Sequence, residues 1–330
     1  MSAALPPLRF FDAAATREAL PFARLIPALR AMFAAGCEVP PRQVHQITGP
    51  DGTQLISLIM PAWLPGRCYG VKTVNVAPGN AARGWPGLHA TYMLYDANSG
   101  APLAWLDGNE ITSRRTAAAS ALAASWLARP DASQLLVVGA GQVAQLLPEA
   151  YATVLPITRV SVWARSPEQA QALVAELCER GFDARWADTL ETAVRDADIV
   201  SCATLATEPL IHGRWLQAGS HLDLIGSFTP AMREADDSCF AGAAVYVDTD
   251  EALAKSGDLL GPLSRGVLRA TDVRGSLAAL ARGAVTGRAS ALERTVFKSV
   301  GTALEDLAAA MLVLGPQAPA PTPPAAQDRR

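Results

Sequence analysis

Leu135-Leu136-Val137-Val138-Gly139-Ala140-Gly141-Gln142-Val143-Ala144 decides the fold of this chain. A short apolar run ends in a glycine turn, and helix-forming residues follow, so the stretch reads as a buried strand entering a helix. Gly139 permits the tight turn, Gly141 lets backbone approach a phosphate, and small Ala144 lets the helix lie close on the strand. The N–H groups at the start of that helix then face an anion. In a chain this rich in Ala and Gly the string alone is a weak signal, and an ordinary strand–helix turn competes with it. The strand before and the helix after favour a dinucleotide site, with Gly139, Gly141, Gln142 and Val143 as contacts.

Working outward, strands and helices alternate. After Gln134–Val138 comes a helix at 142–154, with Pro148 expected to bend it. A strand at 159–164, a helix at 167–180 with Pro167 in its first turn, a short helix at 190–195 and a strand at 198–203 follow. Further strands fall at 221–225 and Ala244–Val247. The alternation implies a parallel sheet covered on both faces, a doubly wound Rossmann-type α/β domain.

The first 110 residues differ. After an N-terminal helical region, short strands at 39–47, 55–61, 69–76, 89–96 and 103–107 are separated by turns such as Gly49-Pro50-Asp51-Gly52. They read as a mostly antiparallel sheet. A long helix at 113–128, with Thr112 as N-cap, joins the halves. An Ala-rich helix from Arg294 to about Val313 folds back on the first half. The expected division is 1–119 with 290–315 as a mixed α+β substrate-binding domain, 120–289 as the dinucleotide domain, and 316–330 as a disordered Pro/Ala tail.

Composition narrows the function. Half the residues are hydrophobic and the net charge is −3, with no basic patch for nucleic acid. No apolar run reaches the roughly 18–20 residues of a membrane span. The odd count of five cysteines, without a C-x-x-C, suggests reduced thiols and a cytoplasmic protein. The four histidines are far apart, so no metal site is expected.

An acidic residue usually ends the second strand of this fold and accepts from the adenosine ribose. Here the strand ends Val162-Trp163-Ala164-Arg165-Ser166. Arg165 and Ser166 suit a 2′-phosphate, so NADPH is the expected cofactor, with NADH possible; a solvated Arg165 is the alternative.

Three cations stand out. Strand alternation puts Lys72 on the face of Val74 and Val76, where its stem either snorkels to an edge or enters a pocket that lowers its pKa. Arg115 lies in the first turn of the linking helix, and its charge adds to the positive helix end. Arg114 points about 100° away, so only one of the two faces a cleft. Arg42 follows the stiff Pro40-Pro41 and, taken alone, reads as a surface arginine.

Gly70-Val71-Lys72, Pro78-Gly79-Asn80, Leu106-Asp107-Gly108, Arg115-Thr116-Ala117-Ala118 and the 139–144 turn come in order along the chain. Cys202-Ala203-Thr204, Pro209-Leu210-Ile211, the 225–234 stretch, and Ser299-Val300-Gly301 with Ala303-Leu304-Glu305-Asp306 follow. Over residues 5–315 the ordered set resembles the ornithine cyclodeaminase/μ-crystallin family. The resemblance implies a homodimer, and a substrate carboxylate held by Arg42, Lys72 and Arg115. It also implies Phe228 and Val300 at the substrate. Arg115, Thr204, Ile225, Ser227 and Ser299 fall beside the cofactor; His89 approaches the nicotinamide or is a hydrogen-bonded structural histidine.

One departure bears on activity. Gly226-Ser227-Phe228-Thr229-Pro230 carries phenylalanine where family cyclodeaminases carry an aspartate, and a phenyl ring accepts no proton. Asp223 is near in sequence but on the other strand face. The chain therefore resembles the imine reductases of the family, which convert Δ1-pyrroline-2-carboxylate to L-proline and often Δ1-piperideine-2-carboxylate to L-pipecolate, in trans-3-hydroxyproline or D-lysine breakdown. Arg42 and Arg115 would clamp the carboxylate, Lys72 would stabilise it and supply a proton, and Phe228 would pack on the ring methylenes. Ornithine cyclodeaminase, alanine dehydrogenase and a non-catalytic NADPH-dependent binding protein are the alternatives.

Overall fold

A computed structural model describes residues 7–315; the expected tail at 316–330 lies outside them. The N-terminal part holds β1 (Arg9–Phe11), α1 (Ala13–Ala19), α2 (Phe22–Ala35), β2 (Gln43–Thr48), β3 (Gln54–Leu64), β4 (Cys68–Val76), β5 (Leu88–Asp96) and β6 (Pro102–Asp107). These strands form one sheet in the order β1-β6-β5-β4-β3-β2. Only the β1–β6 pair is parallel. The expected strand at 39–47 starts late, because Pro40 and Pro41 have no N–H for the ladder. Burial alternates along β4: Gly70, Lys72 and Val74 face inward, and Tyr69, Val71 and Thr73 do not.

The linking helix, α3 (Gly108–Leu127), begins earlier than the sequence suggests. Its N-cap is Asp107, whose carboxylate accepts from the Glu110 N–H at 2.8 Å. Thr112 lies inside the helix and donates to the Gly108 carbonyl at 2.7 Å. A carboxylate both caps and complements the helix dipole, which decides between the two candidates. Close approach also fixes the start: a Cβ on Gly108 would meet the Ala90 backbone at 2.6 Å.

The second part alternates β7 (Gln134–Val138), α4 (Gln142–Ala152), β8 (Arg159–Trp163), α5 (Pro167–Glu179), β9 (Asp183–Trp186), α6 (Leu190–Asp196), β10 (Ile199–Cys202), β11 (His221–Leu224) and β12 (Ala244–Val247). Then come α7 (Ala252–Lys255), α8 (Gly257–Ser264), β13 (Val273–Ser276), α9 (Leu277–Ala281), β14 (Thr295–Lys298) and α10 (Ala303–Leu314). The sheet is wholly parallel, in the order β13-β12-β14-β11-β10-β7-β8-β9. The α4 helix runs through Pro148. Strands β1, β9 and β13 are three- and four-residue pieces that no sequence signal marks.

One expectation fails outright. Residues 295–298 are not helical: Thr295-Val296-Phe297-Lys298 is a fully buried strand between β11 and β12. β-Branched and aromatic residues suit a strand covered on both faces. The Ala-rich helix starts only at Ala303, capped by Thr302. Helix α10 then packs on α2, α3, β3 and β4, while a single apolar cluster continues from Leu25 and Leu29 through Leu122 into Leu147 and Leu173. Strand β14 thus completes one sheet, and the helix that follows it, α10, roofs the other.

Candidate functional site

The ends of β7, β10, β11, β12 and β14 carry the loops of one cleft, at the side of a parallel sheet where ligands bind. Strand order reverses between β7 and β10, and the glycine turn leaves β7 there. Gly139 has φ 119°, and a Cβ would lie 2.6 Å from the Ala203 carbonyl oxygen. At Gly141, the N-cap of α4, a Cβ would meet nothing within 4 Å. The first glycine is thus required by the fold, whereas the second keeps an approach to the helix N-terminus clear. That donor set fits a dinucleotide pyrophosphate.

Other expected cofactor contacts vary in availability. Gln142 is exposed and Val143 half-buried beside the turn. Arg165 is exposed and, among the described residues, has no ion-pair partner. Ser166 caps α5, accepting from the Gln169 N–H at 3.3 Å, and donates to Glu168 at 2.7 Å. Thr204 is tied through both its N–H and its hydroxyl to Glu234, at 2.7 and 2.8 Å. Ile225 is half-buried at the end of β11, and the Ser299 N–H donates to the Leu224 carbonyl at 3.1 Å.

Two residues are not placed as expected. The fully buried Ser227 hydroxyl is engaged with the Met232 carbonyl, Ser256 and the Asp258 N–H, so it shapes the loop. His89 pairs with Asn75 on the sheet face opposite Lys72, because the inward positions of β5 are Ala90, Tyr92 and Leu94. Alternation along a strand accounts for that placement. Phe228 is 46% exposed on the loop after β11.

The three cations do converge. Lys72 is 1% exposed, and its ammonium meets both oxygens of Asp306, at 2.8 and 2.7 Å, with the Thr112 hydroxyl at 3.3 Å. Arg115 donates through Nε to Asp306 at 3.1 Å and through Nη1 to Glu305 at 2.5 Å. Arg114 instead turns to the Leu20 carbonyl and the Phe22 ring. Arg42 donates to the Gly301 carbonyl at 2.9 Å and lies 3.5 Å from Glu251. Gly301 joins the two arginines: at φ 75°, its Cα faces Arg115 so closely that a Cβ would lie 2.5 Å from Nη1. Val300 is buried next to it, and Asp248 accepts from the Val300 and Gly301 N–H groups at 2.7 Å each.

Burial sets the electrostatics. It pulls Lys72 down to about 8 against the attraction of Asp306, with Arg115 adding to the fall. Burial also opposes the Arg115 charge, but Glu305 and Asp306 outweigh it and hold the guanidinium above its ordinary range. Glu305 is pushed up to about 7 by burial despite Arg115. A lysine this close to neutrality can donate a proton at physiological pH.

Sequence reasoning assigned no role to Glu305, Asp306, Asp248 or Glu234. The available signal was an acid pair inside Ala303-Leu304-Glu305-Asp306-Leu307-Ala308, since buried carboxylates need cationic partners. Asp223 is also fully buried, but it accepts from Ser120 on α3, Tyr151 on α4 and Ser201 on β10. It is therefore not a substitute for the carboxylate that Phe228 replaces. No His/Cys/Asp/Glu group suited to a metal is found among the described residues.

A doubly wound sheet with a phosphate-type glycine turn, facing Lys72 of the second sheet, Arg115 of α3 and Arg42 of the loop before β2, defines a dinucleotide-dependent oxidoreductase. The chain belongs to the ornithine cyclodeaminase/mu-crystallin family, whose model matches residues 19–316. It is 45% identical over 275 residues to the Delta(1)-pyrroline-2-carboxylate reductase of Paracoccus denitrificans, covering 82% of this chain and 86% of that protein. The solved Thermococcus litoralis Delta(1)-pyrroline-2-carboxylate reductase, in complex with NADH and L-proline, superposes with a TM-score of 0.87 at 30% identity. That match covers 93% of this chain and 96% of the other. An archaeal alanine dehydrogenase dimer with bound NAD superposes at 0.85 with 29% identity, covering 93% and 95%.

Proposed function

We propose that this protein reduces cyclic imine carboxylates with a nicotinamide dinucleotide, taking Δ1-pyrroline-2-carboxylate to L-proline and Δ1-piperideine-2-carboxylate to L-pipecolate. The observation that carries this reading is the joining of Arg42, Arg115 and Lys72 through Gly301 and Asp306 at the ends of the parallel strands. The similarity to two pyrroline-2-carboxylate reductases supports it.

The bound dinucleotide would supply a hydride to the imine carbon. Arg42 and Arg115 orient the substrate through its carboxylate, and orientation of this kind removes much of an entropic barrier. Lys72 holds the proton that the ring nitrogen gains, so one hydride and one proton convert C=N to CH–NH. Phe228, exposed on the loop after β11, offers an apolar surface to ring methylenes and no acceptor for an amine proton. That chemistry favours reduction over deamination.

NADPH is the preferred form in this reading, with Arg165 and Ser166 at the 2′-phosphate. A homodimer is also part of it. The outer face of the N-terminal sheet carries aromatic pairs, with Phe10 stacked on Trp105 at 4.3 Å and Tyr69 on Tyr95 at 5.5 Å. Phe10 is 69% exposed there, and a second copy would cover it. A cytoplasmic location accords with scattered cysteines, and no helix among the described residues is long and apolar enough to cross a membrane.

The test follows NADPH and NADH oxidation with each cyclic imine, beside ammonia release from ornithine with NAD⁺. Imine-dependent oxidation, with a NADPH preference lost in Arg165→Ala, is expected. Ammonia release without imine reduction would overturn the reading.

A further inference from the structure

Three carboxylates and two cations are buried together in the substrate cluster: Asp248, Glu305 and Asp306 against Lys72 and Arg115. At the more exposed rim, Arg42 lies 3.5 Å from Glu251, which Lys255 also engages. Fully ionised, these five groups carry one net negative charge, since Lys298, the buried cation beyond Asp248, is shared with Asp258 and Glu234; a substrate carboxylate would add a second. Buried net negative charge disfavours an incoming anion, and neutralising one acid relieves that penalty.

The surroundings identify which one. Asp306 is held by both Lys72 and Arg115. Asp248 accepts from the N–H groups of Thr249, Val300 and Gly301. Glu305 has Arg115 alone on one oxygen, and its other oxygen, Oε1, is buried without a hydrogen-bond partner. The Arg115 guanidinium is also the group for which an incoming carboxylate competes.

Helix α1 packs on α10 with only exposed charges, Arg17, which pairs with Glu110, and Glu18. Helix α3 presents Arg115, β4 presents Lys72, the end of β12 presents Asp248, and α10 itself presents Asp306. Tyr92 on β5 lies nearest Asp306, and its buried hydroxyl lacks a partner. Strand β3 has no titratable side chain, and Arg24 and Arg30 on α2 are exposed.

We propose, resting on the functional reading above, that substrate binding is coupled to uptake of one proton by Glu305, whose carboxyl is neutral in the complex. The balance is simple: free protein with ionised Glu305, plus carboxylate, plus H⁺, gives the complex with neutral Glu305. Glu305 thereby frees Arg115 for the substrate and makes affinity fall as pH rises. The lift of Glu305 to about 7 by burial puts the coupling in the physiological range.

Pyrrole-2-carboxylate, a ring carboxylate with no basic nitrogen, is titrated into protein saturated with NADPH, a pair that cannot react, in buffers of different ionisation heat. At pH 7, wild type should take up about half a proton per site from a group that titrates there. Glu305→Gln should bind the same anion and take up roughly a tenth, the share left to Lys72 near 8. In the wild type, infrared difference spectra should gain a protonated-carboxyl C=O band on binding. Equal proton counts in the two proteins, no uptake in wild type, or absence of that band would each overturn the proposal. The infrared result stands whether or not the variant folds. Failure of the wild-type holoprotein to reduce either cyclic imine would instead overturn the functional reading, and this inference with it.

Discussion

Gly301→Ala perturbs the cation cluster without removing a charge. The new Cβ would lie 2.5 Å from Arg115 Nη1, 2.7 Å from Nη2 and 3.0 Å from Cζ. Non-bonded atoms rest near ~3.5 Å, so the guanidinium must retreat by roughly 1 Å. It cannot do so freely, because Glu305 at 2.5 Å and Asp306 at 3.1 Å pin it. A displacement of that size in a positioning group costs on the order of 100-fold in rate, or about 2.7 kcal/mol. Alanine at φ 75° adds about 1–2 kcal/mol of backbone strain to folding. The assay is kcat/KM for imine reduction beside dinucleotide affinity. A roughly 100-fold loss in the first with little change in the second is expected. Gly36→Ala separates strain from the clash: its φ is 79°, and a Cβ there meets nothing within 4 Å. That variant should lose stability and keep wild-type turnover. Wild-type kcat/KM in Gly301→Ala would refute the idea that Arg115 is held in a working position.

Gly139→Ala should lower both dinucleotide affinity and thermal stability, since φ 119° and the Ala203 carbonyl at 2.6 Å leave no room for a side chain; unchanged affinity would sink the glycine-turn assignment. Stability should fall between pH 5 and pH 8. Burial raises Asp223 to about 6, Glu305 to about 7 and Glu234 to about 8, so the folded chain keeps protons that the unfolded chain has released. His221, depressed to about 3 by burial, opposes this only below about 6.5, and Lys72, depressed to about 8, reverses it only above that value. Denaturant midpoints measured across this range would show the fall, and Glu234→Gln should flatten its upper part; a rise with pH contradicts the assignment.

Most of the parallel sheet was legible because units such as β7–α4 and β8–α5 carry their own local signal, an apolar run followed by glycine or a capping residue. The short edge strands β9 and β13 were not, nor was β14. Thr295-Val296-Phe297-Lys298 is too short to show a period, and it adjoins an Ala-rich segment that reads as one long helix. Its identity comes from its neighbours β11 and β12, which are distant in sequence. The same limit applies at the site. Alternation singled out Lys72 as an inward cation, and helical geometry separated Arg115 from Arg114. Glu305 and Asp306 acquire meaning only once α10 lies across β4 and α3. His89 failed for the converse reason: its residue type suggested chemistry, but strand alternation had already assigned it to the outer face.

Strand β14 lies in the interior of its sheet although, among the described strands, it comes latest in sequence. Until it docks, β11 and β12 have no common neighbour, and α10 has not yet covered the other sheet. Neither half of the molecule can be finished first. On refolding, both sheets should therefore gain protease resistance together, when β14 and α10 dock.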